Sequence, residues 1–335
     1  MMQYQSLFFT APYQVELREG VLSPPGPREL VVKSLYSAIS AGTEMLLYRG
    51  QAPQEMLVDE SISSLNGKLV YPFQYGYAVV GRVEEAGRDV DRKQIGQLVF
   101  SFQPHQTHFK ISADQAMILP SGLDPKAAIF LPNMETAVNF LMDGQPLIGE
   151  RVVVFGQGIV GLLTTSLLAR FPLGTLLALD IYPNRRTAAL EAGADHVLDP
   201  TQPESLAKVR GERGVDLAFE VSGSPAALDQ AIAVTGFDGR VVIGSWYGKK
   251  RVNLDLGGDF HRSRIQLISS QVSTIAPSLG GRWTKTRRFK IAWEMIGKVN
   301  PERWITNTFP FGDAGQAYTL LDSQPENSIQ VIFEY

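Results

Sequence analysis

In the middle of the chain, a glycine-rich segment has a spacing that lets the backbone come close to a ligand. Residues 156–161 are Gly-Gln-Gly-Ile-Val-Gly, between the apolar run 152–155 and an apolar helical stretch. In such a strand–loop–helix the first glycine permits a tight turn, the second admits a pyrophosphate, and the third lets helix and strand pack closely. The helix N-terminus also attracts phosphate. The predicted dinucleotide-binding residues are Gly156, Gln157, Gly158, Ile159, Val160 and Gly161; the alternative is a turn that binds nothing.

An acidic residue after the next apolar run indicates which dinucleotide binds. Asp180 follows the run 176–179. A carboxylate there accepts hydrogen bonds from the adenosine ribose and repels a 2′-phosphate, which favours NAD over NADP. Arg185 and Arg186 follow closely, and an arginine at this place can hold a 2′-phosphate or lie against the adenine. We therefore predict NAD as the cofactor, with Asp180 and Arg185 in its site and NADP as the less favoured alternative.

Two further loops follow predicted strands and complete the expected cofactor site. They contain Ser222-Gly223 and Gly244-Ser245. Ligands of open α/β sheets bind outside the carboxyl ends of the strands. Gly223 and Gly244 would let the backbone approach the ribose and nicotinamide, although both could be ordinary turn glycines.

The segments that must position these loops alternate between strand and helix. Strands are predicted at 152–155, 176–180, 196–198, 216–221, 240–244 and 265–269, and helices at 159–170, 184–192, 205–211 and 226–234. Strands joined by helical crossovers predict an α/β fold with a doubly wound parallel sheet. Residues 1–125 instead contain short Val-, Ile-, Phe- and Tyr-rich runs between Gly and Pro, typical of a β-barrel-like domain.

A last predicted strand at 329–333 follows the α/β sheet and would return to the N-terminal β domain. That domain would then be discontinuous. We predict a β domain of residues 1–132 and 271–335, and a dinucleotide-binding domain of residues 133–270.

Composition excludes several functional classes. The 335 residues carry 31 basic and 34 acidic side chains, a net charge of −3, which argues against a general nucleic-acid binder. Because the chain has no cysteine, it has no disulfide, thiolate nucleophile or cysteine-held metal. No targeting segment and no run of about 18 apolar residues is visible, so no membrane partner is expected and the cytoplasm is the expected location.

The whole layout resembles the medium-chain dehydrogenase/reductase superfamily, the group of zinc alcohol dehydrogenases and quinone reductases. The resemblance is carried by five segments: residues 40–44 (Ser-Ala-Gly-Thr-Glu), 76–83, 96–99, 149–154 and 191–197. It implies a GroES-like β-barrel domain beside a Rossmann domain, with the active site in the cleft between them. It also implies a small-molecule substrate, a homodimer or homotetramer, and a nicotinamide contact near Ser270.

The zinc-ligand positions of that family are changed in this chain. Zinc members have a cysteine before Gly-Thr-Asp and a Gly-His-Glu motif. The corresponding residues are Ala41, Tyr77 and Ala78, and the third ligand position falls near Leu131. A catalytic zinc needs three protein ligands, so we predict no zinc. A different metal site at His105 and His108 with Glu44 is the alternative.

Without a Lewis acid, side chains must take the hydroxyl proton or stabilise negative charge. The position-matched candidates are Ser40, Glu44 and Tyr77, with His105 as the nearby imidazole. The alternatives are a polar lining without acid–base function and, for Glu44, an ion pair with Arg49.

These observations predict a zinc-independent, NAD(H)-dependent oxidoreductase that transfers hydride between nicotinamide and a hydroxyl/carbonyl substrate. A zinc-free NADPH quinone or enoyl reductase is one alternative. A non-catalytic NAD-binding sensor or scaffold is another. The basic cluster 282–290 predicts either the solvated face of a helix or an anion-binding surface.

Overall fold

The computed structural model describes residues 1–53, 57, 62, 64–65 and 67–335. Its strands are β1 (Met2–Ala11), β2 (Gln14–Leu22), β3 (Glu29–Ala38), β4 (Phe73–Gln74), β5 (Val79–Ala86), β6 (Leu98–Ser101), β7 (His108–Ser112), β8 (Met117–Ile118), β9 (Arg151–Phe155), β10 (Thr175–Leu179), β11 (His196–Leu198), β12 (Val215–Glu220), β13 (Thr235–Ile243), β14 (Gln266–Ser269), β15 (Ile305–Pro310) and β16 (Gln330–Glu334). Its helices are α1 (Ala41–Tyr48), α2 (Pro125–Ala128), α3 (Leu131–Gly144), α4 (Ile159–Leu168), α5 (Pro183–Glu191), α6 (Pro203–Arg210), α7 (Pro225–Val234), α8 (Lys285–Val299) and α9 (Ala314–Ser323).

The chain forms two compact units. The first comprises Met1–Pro132 and Asn300–Tyr335, and the second comprises Asn133–Val299. Across the part of the chain described above, no helix is both long enough and apolar enough to cross a membrane.

The first unit is built of β-sheets. One sheet has the order β2-β1-β4, and the other has the order β15-β16-β3-β5-β6-β8, with β7 also pairing with β3. Strand β16 pairs antiparallel with β3, so that Ile332 lies opposite Ala38. The C-terminal segment therefore completes the sheet begun near the N-terminus. The interior is filled by buried apolar side chains such as Leu30, Val79 and Phe109.

The second unit contains a parallel sheet of the order β11-β10-β9-β12-β13-β14. Numbered along the chain, its strands lie in the order 3-2-1-4-5-6, which is typical of the Rossmann fold. Residues 152–155 of β9 are all buried, as expected for a strand covered on both faces. The predicted fold class, a Rossmann sheet with a separate β domain, is confirmed. The order reverses between β9 and β12, so the loops after these two strands flank the usual ligand-binding crevice.

The compact units differ from the expected domains in residues 271–299. This segment belongs to the second unit because α8 presents the buried Arg288 to α3 and to the chain after β14. The guanidinium donates to Glu135 and to the carbonyl oxygens of Val272 and Thr274. The unit boundary therefore falls after Val299 and not before Gln271.

Candidate active site and cofactor site

Steric contacts explain two of the three glycines in the loop between β9 and α4. Gly156 has a φ of +94°, and a Cβ there would lie 2.7 Å from the backbone of Ser222. A Cβ on Gly161 would lie 1.9 Å from the carbonyl oxygen of Gly156. Both positions require glycine for close packing of the chain on itself.

Gly158 lies in a different environment, which fits a bound pyrophosphate. A Cβ there would reach only Nη1 of Arg185, at 4.0 Å, so the protein itself does not crowd this glycine. Gly158 is the N-cap of α4 and provides no side-chain hydrogen bond to the first turn. The N–H groups of that turn therefore face a space that a side chain would fill and a phosphate can enter.

The remaining loop residues support this arrangement. The side chain of Gln157 is fully buried, donating to the carbonyl oxygen of Val154 at 3.2 Å and accepting from Thr165 at 3.0 Å. Gln157 can therefore contact a ligand only through its backbone. Ile159 is buried, whereas Val160 is partly exposed.

Asp180 lies against the loop and is 6% exposed. Its Oδ2 accepts from the backbone N–H of Gln157 at 2.7 Å, and its Oδ1 accepts from that of Tyr182 at 2.9 Å. Each carboxylate oxygen can accept more than one hydrogen bond, so acceptor capacity remains for ribose hydroxyls.

The two arginines after Asp180 have different environments. Arg186 donates to the carbonyl oxygens of Asp180 and Ile181 at 2.7 and 2.9 Å, and is 3.3 Å from Asp199. The guanidinium of Arg185 lies over the ring of Tyr182, 4.9 Å from its centre. Arg186 thus stabilises the backbone directly after β10, whereas Arg185 is the arginine beside the glycine loop.

The other two predicted loops meet each other. The backbone N–H of Gly223 donates to Ser245 Oγ at 2.8 Å, and Ser222 packs on Gly156. At Gly244 the structure shows a packing requirement, because a Cβ there would lie 2.2 Å from the ring of Phe140. Its lack of a side chain is explained by packing on α3.

Sequence reasoning missed the carboxylate that joins these loops. Glu220 ends β12, is fully buried, and accepts hydrogen bonds from Ser222, Gly223 and Tyr247. Burial, followed by the nearby Glu220 charge, raises the pKa of the Tyr247 phenol. The only signal in the sequence is an acidic residue at the end of an apolar strand.

Ser270 belongs to a buried polar network. Its Oγ donates to Asp143 at 2.6 Å and accepts from Asn139 at 3.0 Å. Asn139 in turn accepts from Arg288 at 2.5 Å. The Ser270 hydroxyl is therefore engaged within the protein, and neither prediction for the basic cluster applies to Arg288, which points inward.

In the first unit, the structure brings all four predicted catalytic residues together. Glu44 Oε1 accepts from the backbone N–H of Ser40 at 2.7 Å, and Oε2 lies 3.1 Å from His105 Nε2. The phenol of Tyr77 donates to Ser40 Oγ. Glu44 and His105 are fully buried, whereas Ser40 and Tyr77 are partly exposed. The cluster thus has a buried acid–imidazole pair beneath two accessible hydroxyls.

Three residues that sequence reasoning missed extend this cluster. Tyr318 donates to Glu44 Oε2, Ser37 Oγ lies 2.7 Å from His105 Nδ1, and Tyr335 OH lies 2.7 Å from Ser37 Oγ. Burial, then the Glu44 charge, raises the pKa of Tyr318 well above its ordinary value, and burial also raises that of Tyr335. Both phenols therefore stay protonated and can donate at neutral pH.

Neighbouring backbone fixes His105 in place. Its N–H donates to the carbonyl oxygen of Tyr75 at 3.1 Å, and its carbonyl accepts from Leu7 at 3.0 Å. Gly76 has a φ of +120°, and a Cβ there would lie 2.8 Å from the imidazole. The imidazole therefore packs on the backbone directly before Tyr77.

The residues at the zinc-ligand positions do not fit zinc. Ala41 offers a methyl group, Leu131 is fully buried and apolar, and the Tyr77 phenol donates to Ser40. Three nitrogen, sulfur or carboxylate ligands are needed to hold a catalytic zinc. Among the described residues, no group of three or more His, Asp and Glu is placed to hold a metal ion.

The structure also bears on the alternative metal site at the histidines and on the alternative ion pair of Glu44. His105 pairs with Glu44, whereas His108 lies 3.6 Å from Glu84, so the two imidazoles do not converge. Arg49 bonds to Asp322 at 2.6 Å, so the alternative ion pair with Glu44 is wrong.

Sequence and structure comparisons find dehydrogenases among the proteins similar to this chain. A family model described as "Zinc-binding dehydrogenase" matches residues 160–296. D-guloside 3-dehydrogenase of Escherichia coli K12 is 24% identical over 321 residues, covering 90% of this chain and 92% of that protein.

Two solved structures extend the likeness over the whole fold. One is an alcohol dehydrogenase of Escherichia coli CFT073 complexed with NADH, with a TM-score of 0.80, 19% identity and 99% of each chain covered. The other is a putative zinc-binding dehydrogenase of Sinorhizobium meliloti bound to NADP, with a TM-score of 0.80, 18% identity and full coverage of both chains.

A Rossmann sheet with a glycine-rich loop after its first strand, and a separate β domain, is the arrangement typical of dinucleotide-dependent dehydrogenases. The chain is similar to medium-chain dehydrogenases, in residues 160–296 by the family model and over 90% of its length to one relative. The predicted enzyme class, an NAD(P)-dependent dehydrogenase or reductase of the medium-chain type, is confirmed.

Proposed function

We propose that the protein is a zinc-independent oxidoreductase that transfers hydride between NAD(H) and a hydroxyl/carbonyl substrate. One observation carries the proposal: Ala41, Leu131 and Tyr77 occupy the ligand positions of the zinc members. The alanine and leucine side chains cannot bind a metal, and the Tyr77 phenol donates to Ser40. A hydroxyl pair therefore takes the place of a metal centre.

The hydroxyl pair can handle the substrate proton. Because Ser40 Oγ accepts from Tyr77, its own O–H remains available to donate. A hydroxyl donor stabilises the negative charge that develops on the substrate oxygen in either direction of hydride transfer, and the substrate proton exchanges with solvent water at these partly exposed hydroxyls. Bound nicotinamide supplies the hydride donor or acceptor.

Glu44 and His105 act as positioning residues in this proposal. Both are fully buried, so neither side chain can reach a substrate directly. Glu44 binds the N–H of Ser40 and thereby fixes the residue whose hydroxyl faces the substrate. His105 and Tyr318 donate to the same carboxylate and hold its orientation.

For the cofactor, we propose NAD with Asp180 as the ribose ligand. The Asp180 carboxylate lies on the glycine loop and would repel a 2′-phosphate. Arg186 is occupied by main-chain carbonyl oxygens, which leaves Arg185 as the arginine for the adenine end.

For the substrate, we propose a secondary alcohol or its ketone, in a protein assembled as a homodimer or homotetramer. The relative named D-guloside 3-dehydrogenase supports a hydroxylated, sugar-like compound. The location proposed from the sequence is the cytoplasm.

The test is cofactor reduction by the purified protein with NAD⁺ and a panel of secondary alcohols that includes a D-guloside. We expect turnover with NAD⁺, and a fall in kcat of about a hundredfold for Tyr77→Phe with little change in the Kd of NADH. Tyr36→Phe is the control. The Tyr36 phenol makes a long, exposed hydrogen bond of 3.5 Å to Glu334 and takes no part in the proposed chemistry, so its loss should leave kcat unchanged. Binding of NADH without turnover on any substrate would instead favour a sensor. Turnover only with NADPH and quinones or enones would favour the reductase alternative.

A further inference from the structure

The buried carboxylate of Glu220 accepts four hydrogen bonds from backbone N–H groups and hydroxyls, while Lys250 donates to the carbonyl oxygen of the neighbouring Gly223 at 2.8 Å. Its Oε1 accepts from the N–H of Ser222 at 2.8 Å, the Ser222 hydroxyl at 2.5 Å and the N–H of Gly223 at 3.1 Å. Its Oε2 accepts from the Tyr247 phenol at 2.6 Å. An ionised carboxylate can only accept hydrogen bonds, which matches the four donors that converge on Glu220.

The sheet register puts this carboxylate where three loops leave the sheet. Glu220 lies beside Phe155 of β9 and Ile243 of β13. Those residues directly precede Gly156 and Gly244. Glu220 is therefore at the carboxyl ends of three adjacent strands, the edge at which this type of sheet binds its ligands.

Each of the three loops depends on Glu220 directly or through one contact. The loop at 222–223 is held by three hydrogen bonds, and the loop at 244–247 is held through Tyr247. Ser245 joins these two loops by accepting from Gly223. The glycine loop packs on Ser222 through Gly156.

We infer that Glu220 is a positioning residue for the nicotinamide end of the cofactor and that its buried negative charge favours the oxidised over the reduced form. The inference rests on the proposed binding of NAD(H) and deepens it. The nicotinamide ring carries a positive charge in NAD⁺ and none in NADH. A negative charge beneath the loops at Gly223 and Ser245 attracts only the oxidised ring, and burial reduces the screening of that attraction by water.

The experiment compares the Kd values of NAD⁺ and NADH, measured by calorimetry, in variants that change charge at nearly constant shape. We expect Glu220→Gln to raise the Kd of NAD⁺ about tenfold more than that of NADH. Glu220→Asp keeps the charge and should keep the wild-type ratio of the two Kd values. Tyr247→Phe removes one donor but not the charge, so both Kd values should rise by the same small factor.

Glu150→Gln is the matched control. Glu150 directly precedes β9 at the opposite end of the same sheet, where it pairs with Arg240. Its replacement removes the same charge from the same unit and should leave the ratio of the two Kd values unchanged. Melting curves of every variant separate a loss of folding from a loss of binding.

The outcomes separate this inference from the proposed function. The inference about Glu220 would be overturned if Glu220→Gln changed the Kd values of NAD⁺ and NADH equally. It would also be overturned if Glu150→Gln shifted the ratio of these two Kd values. If Glu220→Gln does not fold, the pair Glu220→Asp and Glu220→Asn gives the same comparison with and without charge. If Glu220→Gln and Glu220→Asn both unfold while Glu220→Asp folds, the charge is needed for stability, and the inference is overturned. Wild-type protein that binds neither NAD⁺ nor NADH would overturn the proposed function instead.

Discussion

Each unit of the protein contains a fully buried glutamate whose hydrogen-bond partners differ in kind. Glu44 accepts from a backbone N–H, a phenol and the imidazole of His105. Glu220 accepts from two backbone N–H groups, a serine hydroxyl and a phenol. An imidazole can gain or lose a proton near neutral pH, whereas the donors around Glu220 cannot.

This difference assigns the two carboxylates to different tasks. The Glu44 cluster contains an imidazole and lies beside the Ser40 and Tyr77 hydroxyls, which suits the positioning role proposed for it next to a substrate proton. The described donors to Glu220 are backbone N–H groups and hydroxyls, which suits the proposed binding of a charged ring.

Removal of the Glu44 acceptor should have the largest effect on stability. Glu44→Ala leaves the Tyr318 phenol, His105 Nε2 and the Ser40 N–H in a buried region without their acceptor. We expect the free energy of unfolding to fall by about 3–5 kcal/mol. Urea denaturation followed by circular dichroism measures it.

The control for that measurement is a second Glu–His pair in the same unit. Glu84 pairs with His108, and their side chains are 35% and 17% exposed. Glu84→Ala should lower the free energy of unfolding by only about 0.5 kcal/mol or less. Similar losses for the two variants would contradict the claim that burial makes the Glu44 cluster a stability determinant.

A third carboxylate, Asp180, should affect binding selectivity more than stability. Asp180→Ser removes the proposed ribose acceptor and the repulsion of a 2′-phosphate, so the NADH to NADPH preference should shift by at least about tenfold, or 1.4 kcal/mol. Fluorescence titration with each cofactor measures the change. The matched control is Asp195→Asn, since Asp195 accepts from the Leu176 N–H at the amino end of β10. An unchanged preference in Asp180→Ser would assign Asp180 to loop structure alone.

The smallest expected effect is a pH dependence caused by His108. Burial lowers the pKa of His108, with Glu84 opposing and Lys33 reinforcing the change. As the pH falls below about 6.5, the unfolded chain therefore takes up the proton first, and the free energy of unfolding falls until the folded pKa is passed.

His108→Gln should remove that dependence, which we expect to be below about 1 kcal/mol between pH 7.5 and 5.5. Urea denaturation at both pH values measures it, with His196→Gln as the exposed control. A dependence that persists unchanged in His108→Gln would assign it to other groups.

The cofactor loops were predictable because their signals are local. The glycine spacing, the flanking apolar runs and Asp180 lie within 30 residues, and strand β9 and helix α4 begin within one residue of their predicted starts. Glu220 was missed although its partners are also near in sequence, because no motif marks an acidic strand end as structural. Only the sheet register reveals that three loops meet at its side chain.

The polar cluster of the first unit was predictable only in part. Ser40, Glu44 and Tyr77 came from aligned motifs, and His105 from its residue type. Their partner Tyr318 is 274 residues from Glu44 along the chain, and Tyr335 is 298 residues from Ser37. Such pairings depend on the return of the C-terminal segment to β3, which brings distant residues together without any local pattern.

The central claim, that hydride transfer here needs no zinc, is tested most directly by metal analysis coupled to activity. Purified protein is treated with a chelator, its zinc content is measured by mass spectrometry, and NAD⁺ reduction is assayed with the active secondary alcohol before and after zinc is returned. We expect full activity at well below one zinc per chain, and no gain in activity when zinc is added. One zinc per chain, whose removal abolishes turnover and whose return restores it, would contradict the account.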